Sequence, residues 1–276
     1  MAEDNTNEIL TDSPMDQGKA FIALETLGRI SYAQELRLKP GDVIVALDGN
    51  PIILDVDKFD DALNAYSENP ALLTIFRNGE FFEIFVTKPL GCGYKYASDE
   101  EVEAIIEKRP EHDIGPKESY YGFEALRDMR RRVRLFRTDY SPYATITPIF
   151  WLLYHQMWAP LGVVLITYAV SAMIHPVLLM LVYVMLSIYF HKAQTIMMRS
   201  YSLYLDHNFW FVFAERSTQK AQERLRRFDQ KCRFNFSYVP EPVVDEAEEA
   251  RVAALMEEAK AELEAEVLNE DRFKAT

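Results

Sequence analysis

Cysteine is almost missing from this chain of 276 residues: Cys92 and Cys232 are the only two, and they stand in different segments. No Cys-x-x-Cys pair and no Cys/His cluster occurs, which excludes a zinc site of the usual spacing. Two lone thiols suit a reducing compartment. Basic residues are missing from the first stretch, "MAEDNTNEILTDSPMDQ", which is acidic and has no apolar run. A secretory signal needs the opposite pattern. Residues 1–17 therefore read as a disordered acidic leader, and residue 18 onward is expected to start on the side of synthesis. Positive charge is in deficit overall. A formal net charge of −13 argues against general nucleic-acid binding, because a phosphate backbone rewards clustered Lys and Arg. Catalytic signatures are missing as well. "HQMW" at 155–158 and "HKAQ" at 191–194 lack the Glu base and second His of HExxH, and no Gly-x-Ser-x-Gly stretch occurs. The expectation is a protein without enzymatic activity.

The most informative absence is that of charge between residues 146 and 190, which hold no Asp, Glu, Lys or Arg. A hydrocarbon core takes about 20 helical residues. The stretch thus predicts a membrane helical hairpin over 146–200, with helices near 149–173 and 177–199 and a turn at Pro176. Pro148 and Pro160 bracket "IFWLLYHQMWA". Either this piece lies in the interface and the chain enters the bilayer at Pro160, or one long helix kinks there. The turn carries no cation, whereas Arg and Lys flank both ends. By the positive-inside rule both termini face the cytoplasm. Trp151, Tyr154, Trp158, Tyr189, Tyr201 and Tyr204 are candidates for an interfacial belt. His155, His175, His191 and His207 raise a haem reading. Counted from the turn, His155 and His191 differ in depth by roughly 7 Å at 1.5 Å per residue, which does not suit two axial ligands in one hairpin. Interfacial or polar-lined histidines are the better reading, and neither a metal nor another cofactor is expected.

Before the apolar block, residues 18–90 are patterned as a small α+β domain. "GKAFIALETL" is a strand broken at Gly28. "SYAQELRL" is a short helix with Ser31 as N-cap and Leu36 and Leu38 turned inward. "KPGD" is a turn, and "VIVALDG" is a strand closed by Asp48-Gly49. Period 2 puts Val43 or Ile44 into the core. Val56, Phe59, Leu63 and Tyr66 share one helical face, which ends at Pro70. "ALLTIFRNGEFFEIFVTKP" is a hairpin across Asn78-Gly79.

In this order, Gly28, Ala33, "LKPGDVIVALDGNPI" at 38–52 and "LLTIFRNGE" at 72–80 resemble a bacterial-type PDZ domain over about residues 18–89. The resemblance implies a module that takes an extended peptide as an added strand. Phe59 and Leu63 are the candidate groove liners, or else plain core. No Gly-Leu-Gly-Phe-like loop precedes residues 18–27, so a docking block without a free groove is the alternative. "FWLLYHQMWAP" and "RSYSLYLDH" resemble uncharacterised bacterial inner-membrane domains, which implies no activity.

Residues 91–145 read as a helical and basic connector. Its acidic helix starts at Ser98 and stops at Pro110. Arg127, Arg130, Arg131, Arg132, Arg134 and Arg137 then form a polybasic stretch before the apolar block. They are expected either to contact anionic lipid headgroups, at about 1 kcal/mol per residue, or to act as a topology signal. Residues 201–239 read as a basic amphipathic helical segment, and 240–276 as an acidic helix. Val252, Met256, Ala259, Leu263 and Val267 give that helix a narrow apolar stripe for a coiled coil or partner, unless it is simply solvated.

The expected architecture is an α+β PDZ-like domain, then an α-helical membrane hairpin, then a helical cytoplasmic tail, in a bacterial inner membrane. The first functional expectation is a membrane-anchored adaptor holding a protein partner at the cytoplasmic face. The second is an accessory or assembly subunit of a membrane complex that binds through the hairpin. A haem-binding membrane protein is a weaker third.

Overall fold

The structure, a computed structural model, describes residues 21–52 and 56–242 together with Arg251, Ala254 and Leu255. The expected leader and most of the expected acidic helix, including its apolar stripe, lie outside the described residues.

Turn chemistry sets the first elements. Strand β1 (Ile22–Leu27), helix α1 (Tyr32–Glu35) and strand β2 (Val43–Leu47) lead into the two-residue strand β3 (Asn50–Pro51). Asp48 and Gly49 both take positive φ (48° and 81°) between β2 and β3, as a tight hairpin turn of right-handed twist requires. Helix α2 (Phe59–Asn64) precedes β4 (Ala71–Arg77) and β5 (Glu80–Val86), which pair in full register across Asn78 (φ 50°) and Gly79 (φ 83°). Strand β6 (Cys92–Tyr96) returns to β1. Helix α3 (Asp99–Lys108) opens with the expected cap: the Ser98 hydroxyl accepts from the Glu101 N–H, and the Glu101 carboxylate accepts from the Ser98 N–H.

Beyond residue 120 the structure departs from the helical expectation. The basic stretch is a β-hairpin of β7 (Tyr121–Arg127) and β8 (Arg132–Arg137). Val133 and Leu135 alternate with Arg134 and Phe136, a period of two that the density of arginines conceals. Four helices follow: α4 (Pro142–Ile146), α5 (Pro148–Tyr154), α6 (Trp158–Ile174) and α7 (Pro176–Tyr204). The chain then forms strand β9 (Asn208–Glu215), helix α8 (Thr218–Phe228) and a short β10 (Arg233–Phe234). The aromatic run "NFWFVFAE" is therefore a strand where a helix is expected, because an unbroken apolar run suits a strand covered on both faces as well as a buried helix.

One mixed α/β unit results. Among the described residues ten strands form a single sheet in the order β10-β8-β7-β9-β5-β4-β2-β1-β6, with β3 beside β2. Every pairing is antiparallel except β8 with β10. Strand β9 enters between β7 and β5 and stitches the first half of the chain to the second. The expected domain boundary at residue 90 does not coincide with a break in the core. Ile22, Ile44, Phe59, Leu63 and Phe82 share one cluster with Phe123, Phe211, Phe213 and Leu225. The Phe82 and Phe211 rings lie 4.8 Å apart. The opposite face of β2 is covered too: Val43 and Val45 pack with Phe21, Phe81, Val102 and Ile105, the last two from α3. Strand alternation holds, but both faces point inward.

Candidate functional site

Helices α6 and α7 form an apolar hairpin that leaves the sheet after β8 and returns at β9. Among the described residues, α7 is the one helix long and apolar enough to cross a membrane, by length and composition, with 6% of its apolar window buried. At 1.5 Å per residue its 29 residues extend about 43 Å and the 17 of α6 about 25 Å. The outer part is bare: Met173 is 88% exposed, Met180 70%, and Ile166, Ile174, Val177 and Met185 each exceed 60%. A contiguous apolar surface of this kind calls for a nonaqueous neighbour. The inner part is packed. Phe190, Met198 and Tyr201 of α7 join Leu161 and Val164 of α6, Trp151 and Leu152 of α5, and Leu126 and Phe136 of the sheet in a second core.

Strand alternation divides β7 and β8 between these two cores. Phe123, Ala125 and Val133 face the main core, whereas Leu126 and Phe136 face the helices. Glu124 and Arg134 share that helical face by the same period. Arg199 of α7 ion-pairs with Glu124, and Gln194 accepts from the Ser141 backbone N–H at 3.1 Å. Helix α7 thus passes the start of α4 at Gln194, the middle of β7 at Arg199 and the start of β9 beyond Tyr204. Its apolar tip lies beyond the Arg137 end of β8.

This direction separates the six arginines. Arg127, Arg130, Arg131 and Arg132 lie at the β7–β8 turn, the end of the β-hairpin remote from the tip, and do not line the base of the apolar helices. Arg127 and Arg131 both bind Asp229, at 2.7 and 3.1 Å, and Arg132 binds Asp128. Arg137 pairs with Asp139 and lies over the Tyr121 ring. Arg134 alone is buried, at 8% exposure. Its Nη2 donates to the His155 carbonyl at 2.9 Å, the Tyr201 ring lies 5.3 Å away, and its Nε–H has no partner among the described residues. Burial pulls its pKa down from the ordinary value.

A cavity of about 460 Å³ opens beside Arg134. It lies between β8, the start of α4, the C-terminal end of α5, residues 194–198 of α7 and the segment after β10. Tyr140, Tyr143, Trp151, Tyr154 and Gln194 are among its walls. Sequence reasoning counted Arg134 as one of six. Strand parity separates it from Arg137, and its place in the middle of β8 separates it from Arg132 at the turn; both become informative only once β8 is known to be a strand.

The groove liners are corrected: Phe59 and Leu63 are both 0% exposed and belong to the main core, so neither offers a surface to a peptide. The expected aromatic belt divides. Tyr154, Trp158, Tyr189 and Tyr204 are exposed, whereas Trp151 and Tyr201 are buried in the second core. The histidines have separate tasks. His155 packs on Trp151 and Tyr154, and His191 on Tyr140. His175 caps α7 by accepting from the Val177 N–H, and His207 lies against the Leu205 carbonyl. Among the described residues no group of three or more His, Cys, Asp or Glu is gathered to hold a metal ion.

Set against known protein families and curated proteins, the chain gives no match.

Proposed function

We propose that the chain is a membrane-anchored docking protein without enzymatic activity, its α6–α7 hairpin inserted from the cytoplasmic face of a bacterial inner membrane and its sheet presented to a protein partner on that face. One observation carries the reading: an apolar hairpin with a bare outer surface grows from the interior of a single sheet, between β8 and β9. Both of its ends therefore belong to the same compact body and lie on the same side of the bilayer. The flanking Lys and Arg favour the cytoplasm for that side. The PDZ-like word order of residues 18–89 supports a docking role. With Phe59 and Leu63 in the core, strand β6 is the candidate acceptor for an added strand, since β1 is its only strand partner among the described residues.

Alkaline-phosphatase fusions at residues 95 and 240 are expected to be inactive, and one near 175 active. Activity at 95 or 240 would overturn the orientation. Flotation tests the insertion itself. The full chain should rise with phosphatidylcholine vesicles, and the double change Met173→Asp with Met180→Asp should abolish this.

A second reading, an accessory subunit of an integral membrane complex, is favoured by the small share of α7 that the chain itself covers. A photo-crosslinker at Met180 separates the two: adducts with lipid fit the anchor, adducts with a discrete protein fit the subunit.

A further inference from the structure

We propose that the cavity beside Arg134 is a binding site for the phosphate group of a single phospholipid, whose acyl chains lie along α4, α5 and the apolar hairpin. The inference rests on the membrane-anchored reading and adds a defined headgroup site to it.

Charge comes first. Of the charged side chains lining the cavity, Arg137 and Asp139 bind each other at 2.9 Å. Arg134 has no carboxylate partner among the described residues. A guanidinium cannot escape burial by losing its proton under ordinary conditions. Its compensation here is one carbonyl, that of His155 at the C-terminal end of α5, and the face of Tyr201. Among the described residues the Nε–H has no hydrogen-bond partner, and an unpaired buried donor on a charged group is costly. A phosphate in the cavity supplies the missing charge and a further acceptor for the guanidinium.

Position argues for a lipid as the source of that phosphate. The cavity lies at the base of the apolar hairpin, where headgroups must sit if the hairpin is inserted. Its aromatic wall continues outward into exposed apolar side chains. Tyr143 and Tyr154 lie at the cavity, and Ile146 and Phe150 extend the same helices toward the tip; all four are more than 60% exposed. The Tyr183 hydroxyl donates to the Ile146 carbonyl, so this wall reaches α7 well above Phe190. An acyl chain has an apolar path from the cavity along α7. A small soluble phosphate ester gains nothing from that path.

The test uses the full chain in detergent, with native mass spectrometry reading bound lipid. The probes are phosphatidylglycerol, diacylglycerol and glycerol phosphate. Phosphatidylglycerol should bind one per chain, and diacylglycerol, which lacks the phosphate, should bind at least about tenfold more weakly, the ratio that corresponds to losing one charge-assisted hydrogen bond. Arg134→Gln should lower phosphatidylglycerol binding by a similar factor. Thr195→Trp, which fills the cavity from α7 and leaves Arg134 intact, should do the same. Both variants should still float with phosphatidylcholine vesicles, which separates the site from the anchor.

Equal retention by the wild type and Thr195→Trp overturns the site, whatever the folding of Arg134→Gln. Displacement of the lipid by millimolar glycerol phosphate overturns the lipid assignment in favour of a soluble phosphate ester. Failure of the wild type to float with any vesicle overturns the membrane-anchored reading, and the lipid site with it.

Discussion

Arg199 on α7 donates from Nε to Oε2 of Glu124 on β7 at 2.7 Å, and its second nitrogen reaches the other carboxylate oxygen. This forked ion pair joins the long apolar helix to the middle of the sheet. Glu124 is 3% exposed, whereas the Arg199 side chain is 43% exposed. The carboxylate is the member that depends on the pair. Removing Arg199 strands a buried charge, whereas removing both partners does not. Arg199→Met should destabilise the protein by about 2 kcal/mol, a reduced figure because solvent screens the arginine. Adding Glu124→Leu to it should restore most of the loss. Thermal unfolding in detergent measures both, and a double variant no more stable than the single one would show that the pair does not hold α7 in place.

Strand β2 is covered on both faces, so neither parity is free to change. Ile44→Ala should cost about 2–5 kcal/mol and Val43→Ala somewhat less, in proportion to the methyl groups removed. If Val43→Ala proves neutral, α3 does not cover that face in solution.

A fragment of residues 18–90 exposes the surface of Phe82 that Phe211 and Phe228 cover in the whole chain, at ring distances of 4.8 and 5.8 Å. It should lack a cooperative thermal transition, because its share of the core is left open on the β5 side. A sharp transition in calorimetry would show that the first half closes its own core.

Arg224 of α8 lies 3.0 Å from Glu215 on β9 and 3.7 Å from Glu83 on β5, and it donates to the Phe81 carbonyl. Both carboxylates are nearly inaccessible. Arg224→Ala should destabilise by about 3–5 kcal/mol and loosen the β5–β9 seam. Hydrogen exchange should quicken first at the amides of β9, and uniform quickening across the sheet would contradict a local seam.

Burial raises the Cys92 and Cys232 thiols to about 11. A raised value favours the neutral thiol, so about one molecule in a thousand carries the reactive thiolate at pH 8. Alkylation by iodoacetamide should be slow at pH 8, quicken toward pH 11 and be fast after unfolding. Rapid labelling of the native chain at pH 8 would contradict the raised values of the half-buried Cys92 and the buried Cys232.

Legibility followed the range of the interaction. The Asp48-Gly49 and Asn78-Gly79 turns, the Ser98–Glu101 cap and the uncharged block were readable because each rests on residues a few positions apart. Strand β9 was not. Phe209, Trp210, Phe211, Val212 and Phe213 form an apolar run that suits a buried strand or a buried helix equally, and the choice fell to β5 and β7, far away in sequence. The same distance hid the role of Phe59 and Leu63. Their helical spacing marks an apolar face and cannot say whether a ligand or a core covers it.

The sequence by itself determined that the middle of this chain is uncharged and apolar, that turns bracket the early strands, and that two cysteines build neither a cluster nor a motif. These are matters of composition and near-neighbour geometry. The tertiary structure alone decided that the arginines lie on a β-hairpin, that β9 closes the two halves into one sheet, and that Arg134 is buried without a countercharge among the described residues while Arg127, Arg131, Arg132 and Arg137 are paired. The physical reason is that a side chain's charge is a property of the residue, but its compensation depends on what the fold brings within a few ångströms.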